Sequence, residues 1–160
     1  MPIKSILYLF IFLLAFAAGH LSVAQTLSEK AKKHIFKGEI NRQGKAVGCH
    51  HILAINEYKT SQIVEGTRKD GPNGLFKAKV RVKSGNGKWV TKVSNQGYST
   101  FYPESWSEKK TEKEIFYAYD NKRRVNGDLW EGKSSEGIII QMYLKDDDSI
   151  ASAFPKDWTR

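Results

Sequence analysis

The most regular hydrophobic pattern lies in the middle of the chain, over residues 75–83. Phe76, Ala78, Val80 and Val82 alternate there with lysines and an arginine. Successive side chains of a strand point to opposite faces, so this segment predicts a half-buried antiparallel strand with one solvated basic face. The turn-forming sequence SGNG at 84–87 predicts a hairpin that returns over 88–93. Such a row of cations could line a phosphate track or serve only as a solvated face.

Shorter apolar runs predict the remaining strands, and they are separated by turn formers. The sequence TRKDGPNG at 67–74 predicts a loop, and the three aspartates at 146–148 predict a turn. Ile138, Ile139 and Ile140 are apolar on both faces, which predicts a central strand. The predicted strands cover residues 51–57, 61–65, 96–102, 129–131, 138–144 and 149–154.

Two capping boxes predict the two helices. Thr26 and Glu29 open a helix over 27–37 that ends near Gly38, while Ser105 and Glu108 open a longer helix over 106–121. Ile115, Phe116 and Tyr119 form the predicted buried stripe of the second helix. Strands joined by tight turns favour antiparallel sheet, so the predicted class is α+β, with an N-terminal helix and one longer helix packed on the sheet.

Residues 1–24 have the pattern of a cleavable signal peptide. Lys4 precedes a continuously apolar run, and small residues at 22 and 24 match a cleavage site before Gln25. The alternative is a membrane anchor, but the run is short for a span of about 20 residues. We therefore expect a single domain over 25–160, secreted or periplasmic, with no membrane association in the mature form.

The charge of the chain favours an anionic partner. The formal net charge is +9, and it falls to +8 without the leader because Lys4 is the only charged residue lost. RNA, DNA, a polyanionic glycan and a membrane surface all fit such a charge, and so does solubility alone. Cys49 is the only cysteine, so no intramolecular disulfide can form.

The candidate chemistry lies in residues 34–51, which hold three of the four histidines. His34 lies beside the apolar stripe of the first helix, and His50 and His51 follow a polar, glycine-containing excursion. Two converging imidazoles can share base and acid roles near neutral pH. Three alternatives remain open: exposed and idle histidines, a metal site that includes Cys49, or an imidazole that is simply a satisfied core group.

Six blocks in order resemble the bacterial EndoU nuclease domain: KHIFKGE, GCHH, KWVTKVSNQGYSTFYPESWS, WEG, GIIIQMYL and IASAFP. The resemblance covers nearly the whole mature chain. It implies an RNase A-type endoribonuclease that leaves a 2′,3′-cyclic phosphate and a 5′-hydroxyl, with tRNA as one candidate target. It implies no metal or other cofactor. The family pattern has a glycine pair before the second histidine, whereas this chain has Gly48 and then Cys49.

The resemblance also implies roles for individual residues. His34 and His50 would be the base and the acid, and Lys92, with Lys88 as the alternative, would stabilise charge on the phosphorane. Ser152 stands where the family usually has threonine, and Phe154 lacks the hydroxyl of a tyrosine. The implied substrate-binding residues are Ser99 and Thr100 at the phosphate, Tyr98 as a base-stacking residue with Phe101 or Trp89 as alternatives, and His51 as the polar neighbour of His50.

Two other function classes stay open at this point. One is a catalytically inactive basic module that binds RNA or acidic glycans, and the other is a small secreted metal-binding protein. If the nuclease hypothesis is correct, the chain is a toxin, an effector or a freely secreted nuclease. Its expected partners are then RNA and, for a toxin, a cognate immunity protein.

Overall fold

A computed structural model describes residues 25–159 and has the predicted α+β class. The predicted signal peptide, residues 1–24, lies outside the described residues. Within the described part, one four-stranded and one five-stranded antiparallel sheet stand beside each other, and a two-stranded ribbon lies near the N-terminus. No helix in this part is long and apolar enough to cross a membrane.

The first helix forms where the sequence predicts it. An α-helical turn, α1 (Glu29–Lys32), continues as a π-helical turn (Lys33–Lys37) and ends at Gly38, whose φ is +72°. The N-cap is Ser28, and its hydroxyl accepts a hydrogen bond from the amide of Ala31 at 3.2 Å. The predicted cap at Thr26 is therefore two residues too early.

The predicted strand over 51–57 is wrong, because the segment forms a short helix, α2 (Leu53–Asn56). The amide of Leu53 donates to Nδ1 of His51 at 3.2 Å, so the imidazole stabilises the start of the helical turn. A short apolar run does not distinguish a buried strand from a buried helix, and tertiary contacts decide here. The two-stranded ribbon before it consists of β1 (Glu39–Ile40) and β2 (Ala46–Val47).

The five-stranded sheet is built around the alternating strand. The N-terminal half of this strand pairs with residues 69–70 and 98–101, and its C-terminal half pairs with residues 61–63 and 89–91, all antiparallel. The predicted loop 67–74 contains the short strand at 69–70. The predicted basic face is only partly solvated, because Lys77 is buried. The strands are β3 (Ser61–Ile63), β4 (Lys69–Asp70), β5 (Phe76–Lys83), β6 (Trp89–Thr91) and β7 (Tyr98–Phe101).

The C-terminal half supplies the long helix α3 (Glu108–Asp120) and a four-stranded sheet in the order β11-β10-β9-β8. Ser107, two residues after the predicted cap at Ser105, caps α3 by accepting from the amide of Lys110 at 3.1 Å. The run at 138–140 enters the predicted central strand, since β10 pairs with both neighbours. The strands are β8 (Arg123–Asn126), β9 (Leu129–Lys133), β10 (Ile139–Leu144) and β11 (Ile150–Pro155).

One face of the C-terminal sheet packs on α3 and the first helix to form the larger core. Ile140, Met142 and Ala153 point into it together with Ile115 and Ala118 of α3. The opposite face, which carries the alternate residues of β10 and β11, is directed toward the five-stranded sheet. The space between the two sheets is where the candidate site lies.

Candidate active site

A cleft of about 720 Å³ opens between β7 of the five-stranded sheet and β10 and β11 of the other sheet. His34 and His50 form one end of its lining, and Lys92 lies beside them. Seven of the eight predicted catalytic and binding residues therefore share one cavity. The predicted residues that line it are His34, His50, Lys92, Tyr98, Ser99, Thr100 and Ser152.

The segment Gly48–His50 is held tightly between the first helix and β7. The amides of Cys49 and His50 donate to the carbonyls of His34 and Ile35 at 2.9 and 2.8 Å, and the carbonyl of His50 accepts from the amide of Tyr102. A Cβ added at Gly48 would lie 2.1 Å from the carbonyl oxygen of His34, so only glycine fits. This close approach brings His50 beside His34, with ring centroids 6.1 Å apart.

The neighbours of His50 fix its tautomer. Nδ1 lies 2.9 Å from the carbonyl oxygen of Thr100, which can only accept, so Nδ1 carries the proton and Nε2 keeps a lone pair. The ring stacks on Phe154 at 5.1 Å. Burial, with the positive charge of Lys92 nearby, holds the pKa of His50 well below its usual range. The resting imidazole is therefore a neutral base.

His34 has a different environment, because its partner is a carboxylate. Its Nδ1 lies 3.1 Å from Oε1 of Glu39, which the chain reversal at Gly38 brings back under the ring. Burial lowers the pKa of His34, while the hydrogen bond and the negative charge of Glu39 oppose that shift. Of the two imidazoles, His34 is thus the one paired with a negative charge, which stabilises its protonated form.

Lys92 is buried and aimed into the cleft. Its ammonium donates to Oγ of Ser99 at 2.7 Å and to the carbonyl of Gly48 at 3.3 Å, and the Ser99 hydroxyl donates to the same carbonyl at 2.9 Å. Burial lowers the pKa of Lys92 to about 8, so the side chain is charged near neutral pH. Lys88, the alternative in the sequence, lies exposed at the β5–β6 turn and does not line the cleft.

The strand residues around the cleft divide into two roles. The Thr100 hydroxyl donates to the carbonyl of Pro155 at 2.6 Å, joining the two sheets, and Ser99 holds Lys92. Thr100 and Ser99 therefore stabilise the structure of the cleft through these hydrogen bonds. On the opposite wall, the register pairs Tyr143 with Ser152 and Gln141 with Phe154, so all four side chains share the cleft-facing side of β10 and β11.

Three predicted or alternative binding residues lie elsewhere. His51 does not line the cleft, contrary to its predicted role in substrate binding. Its ring is buried against Phe36, with Nε2 donating to the carbonyl of Trp106 at 3.0 Å. Phe101 is fully buried and stacked on Phe76, and Trp89 lies under Lys83, so neither lines the cleft. The Cys49 thiol lies in the smaller core. Cys49, His50 and His51 thus point to three different places, and residues 25–159 contain no group of three potential metal ligands.

Comparison with known families gives a match to the description "Bacterial EndoU nuclease" over residues 28–157. The match covers every element of the cleft. This chain belongs to the bacterial EndoU nuclease family.

A curated relative of this EndoU chain is a protein of Bacillus cereus named "Toxin", 40% identical over 126 residues. The aligned part is 78% of this chain but 22% of the relative, so the chain spans about a fifth of that protein's length. No solved structure matches this chain.

The backbone at Gly48 and Cys49 has the conformation that favours glycine at both positions. Gly48 has φ +73°, and Cys49 has φ +65°, a left-handed conformation that side chains disfavour. Sequence patterns do not single out Glu39, Gln141 or Tyr143 as residues of the cleft. Glu39 is the last letter of the block KHIFKGE, and Gln141 and Tyr143 lie within the predicted central strand. The alternation of side chains along the strand places Gln141 and Tyr143 on one face, and the register directs that face to the cleft.

Proposed function

We propose that this EndoU domain is a metal-independent endoribonuclease in which His50 is the general base and His34 the general acid. The observation that carries the assignment is the difference between their partners. A carbonyl leaves Nε2 of His50 free to accept a proton, whereas Glu39 supports a protonated His34. Each transfer needs a heavy-atom reach of about 3 Å. Rings 6.1 Å apart fit the attacking and leaving oxygens of one phosphodiester.

The proposed reaction is an intramolecular transesterification. Nε2 of His50 takes the proton of the ribose 2′-hydroxyl as its oxygen bonds to phosphorus. His34 gives a proton to the 5′-oxygen as the P–O5′ bond breaks, leaving a 2′,3′-cyclic phosphate and a 5′-hydroxyl. The Lys92 ammonium stabilises the charge that grows on the non-bridging oxygens, and the Ser152 hydroxyl faces the same cavity as a further donor.

The wall opposite Lys92 supplies surfaces for the ribose and base. Phe154 and Tyr143 present rings to the cleft, 6.0 Å apart, with Tyr143 46% exposed. Base stacking on aromatic side chains contributes about 1–3 kcal/mol per base and tolerates different sequences. Tyr98 offers a third ring at the other end of the cavity.

The test is to incubate purified residues 25–160 with RNA in the presence of EDTA and to map the ends. We expect cleavage with cyclic phosphate and 5′-hydroxyl termini, because the 2′-hydroxyl is an internal nucleophile. Loss of activity in EDTA that zinc or magnesium restores would contradict the mechanism. RNA binding without cleavage would instead identify the inactive binding module.

We further propose that the domain acts as an exported toxin with an immunity protein as its partner. The name of the Bacillus cereus relative supports the toxin role, and the leader pattern at 1–24 supports export. The secreted protein should begin at Gln25 by mass spectrometry. An intact leader on a membrane-bound product would contradict the export proposal.

A further inference from the structure

We propose that Lys69, Lys79 and Tyr98 form a second phosphate subsite, which binds a backbone phosphate of the RNA strand beyond the scissile one. The proposal rests on the proposed ribonuclease function. It predicts that the enzyme distinguishes a longer RNA strand from a dinucleotide.

The subsite adjoins a side cavity of about 250 Å³ that Lys69 and Tyr98 help to line, and Lys79 contacts the same tyrosine ring from outside that lining. Asn95, Tyr98 and Asp157 line both this cavity and the catalytic cleft, so the two cavities are neighbours. The loop between the cavities packs tightly. A Cβ at Gly97 would lie 3.1 Å from the carbonyl of Lys92 and 3.6 Å from Cγ of Lys79.

Three lysine ammonium groups surround the ring of Tyr98. Nζ of Lys69, Lys77 and Lys79 lies 5.6, 5.8 and 5.7 Å from the ring centroid. The register explains the convergence, since Lys79 pairs with Tyr98 across β5–β7 and Lys69 pairs with Lys77 across β4–β5. Cations held over a half-buried ring beside a cavity suit a nucleotide, which carries an anion.

Among the residues that the structure describes, one of the three ammonium groups has a carboxylate partner. Lys77 donates to both carboxylate oxygens of Asp157 at 3.0 Å and to the Thr159 hydroxyl at 2.7 Å. Within residues 25–159, Lys69 and Lys79 form no ion pair with a carboxylate. Like charges gathered at one ring repel each other, and a bound phosphate would remove that cost.

The experiment compares the double variant Lys69→Gln/Lys79→Gln with a charge-matched control, Lys109→Gln/Lys113→Gln. The control lysines are exposed on α3, on the far side of the C-terminal sheet from the cleft. Fluorescence anisotropy would measure binding of an uncleavable 2′-O-methyl octanucleotide at several salt concentrations. Circular dichroism would confirm that all the proteins are folded.

We expect the Lys69/Lys79 variant to bind the octanucleotide about tenfold more weakly than the control at low salt. The slope of log affinity against log salt should fall by about 0.7, the value for one phosphate contact on a single strand. On cleavable RNA, the ratio of kcat/KM for an octanucleotide to that for a dinucleotide should fall about tenfold relative to the wild type.

Equal binding losses in the two variants would overturn the subsite, because net charge alone would then explain them. An unchanged octanucleotide-to-dinucleotide ratio would overturn it as well. If the wild type cleaves neither RNA, the proposed nuclease mechanism fails, while the anisotropy comparison still decides whether the subsite exists.

Discussion

At the residue scale, the chemistry of the cleft depends on the partner of each imidazole. His50 and His51 are adjacent in the chain, yet one faces the cleft and the other points into the core beside Phe36 and Trp106. The reason is not strand alternation, since the chain turns here from the left-handed Cys49 into the helix α2. Two neighbours of the same type thus have separate environments, and the roles proposed for them are chemical for His50 and structural for His51.

This separation can be tested by substitution. We expect His50→Ala to lower the rate by about 100- to 10,000-fold, the contribution of one general base. We expect His51→Ala to lower the free energy of unfolding by about 1–3 kcal/mol, because the carbonyl of Trp106 and the amide of Leu53 lose their buried partner. The folded fraction of His51→Ala should cleave at a near-normal rate.

Initial rates on one defined RNA and urea unfolding of each variant would give both quantities. His34→Ala should resemble His50→Ala, and the double variant should lose much less than the product of the two losses, since both act in one step. A fast, folded His50→Ala protein beside a dead, folded His51→Ala protein would show that the wrong imidazole has been assigned.

Glu39 should set the alkaline limb of the pH profile. If His34 is the acid, kcat/KM falls as pH rises through the pKa of His34 and also falls as pH drops through the pKa of His50. Burial lowers both pKa values, so the maximum should lie below pH 6.5. Glu39→Gln removes the charge that opposes the downward shift at His34, so the alkaline limb should move to lower pH.

The measurement is kcat/KM between about pH 4.5 and 9 for the wild type, Glu39→Gln and the exposed-site control Glu65→Gln. The acid limb, which belongs to His50, should stay in place in all three. An alkaline limb that does not move in Glu39→Gln would place the acid elsewhere. A separate loss of activity above pH 8 is expected where Lys92 loses its proton.

At the element scale, the site is assembled by a turn rather than by a strand or helix. The first helix ends at Gly38, and the chain returns along its last turn, where Gly48 approaches the carbonyl of His34. This crossing sets the distance between the two imidazoles. The crossing point is Gly48, which has no side chain, and His50 follows it by two residues.

Substitutions at Gly48 and Cys49 test whether this crossing controls the site. Gly48→Ala adds a Cβ 2.1 Å from a backbone oxygen at φ +73°, so the backbone must shift and we expect a loss of at least about 2 kcal/mol of stability, together with most of the activity. Cys49→Gly is the matched control. It relieves about 1–2 kcal/mol of left-handed strain but loses a buried side chain worth about 1 kcal/mol.

Thermal unfolding and kcat/KM should therefore change little in Cys49→Gly. Near-native stability and activity in Gly48→Ala would mean that the crossing does not control the site. A large loss of activity in Cys49→Gly would give the thiol a role that its buried position in the smaller core does not suggest.

At the scale of the whole molecule, the cleft exists because two sheets meet. Thr100 donates a hydrogen bond to the carbonyl of Pro155, and Lys77 pairs with Asp157 across the junction. Lys92 lines the cleft from the side of the five-stranded sheet, and the C-terminal sheet supplies Ser152 and the aromatic wall. Lys69 and Lys79 lie over the ring of Tyr98, which lines the same cleft. That arrangement, rather than the net charge, would direct an RNA strand to the histidines.

The sequence by itself determined the class, the two helices, the long alternating strand and the central β10. Each of these follows from local patterns: polar residues that open a helix, period-two alternation and an apolar run bounded by turns. Both N-caps lie two residues after the predicted ones, at Ser28 and Ser107. The ordered blocks also identified the family and, through it, His34, His50, Lys92 and Ser152 as candidates. These residues are spread over more than a hundred positions, and no local pattern says that they meet.

Only the tertiary structure decided which neighbours each group has. Glu39 lies under His34 because the chain reverses at Gly38, and His51 lies in the core because α2 replaces the predicted strand. Lys77 is neutralised by a residue eighty positions away, which leaves Lys69 and Lys79 as the uncompensated pair. Long-range contacts set these environments, and since protonation and charge depend on environment, the chemistry of the cleft follows from the fold and not from residue type alone.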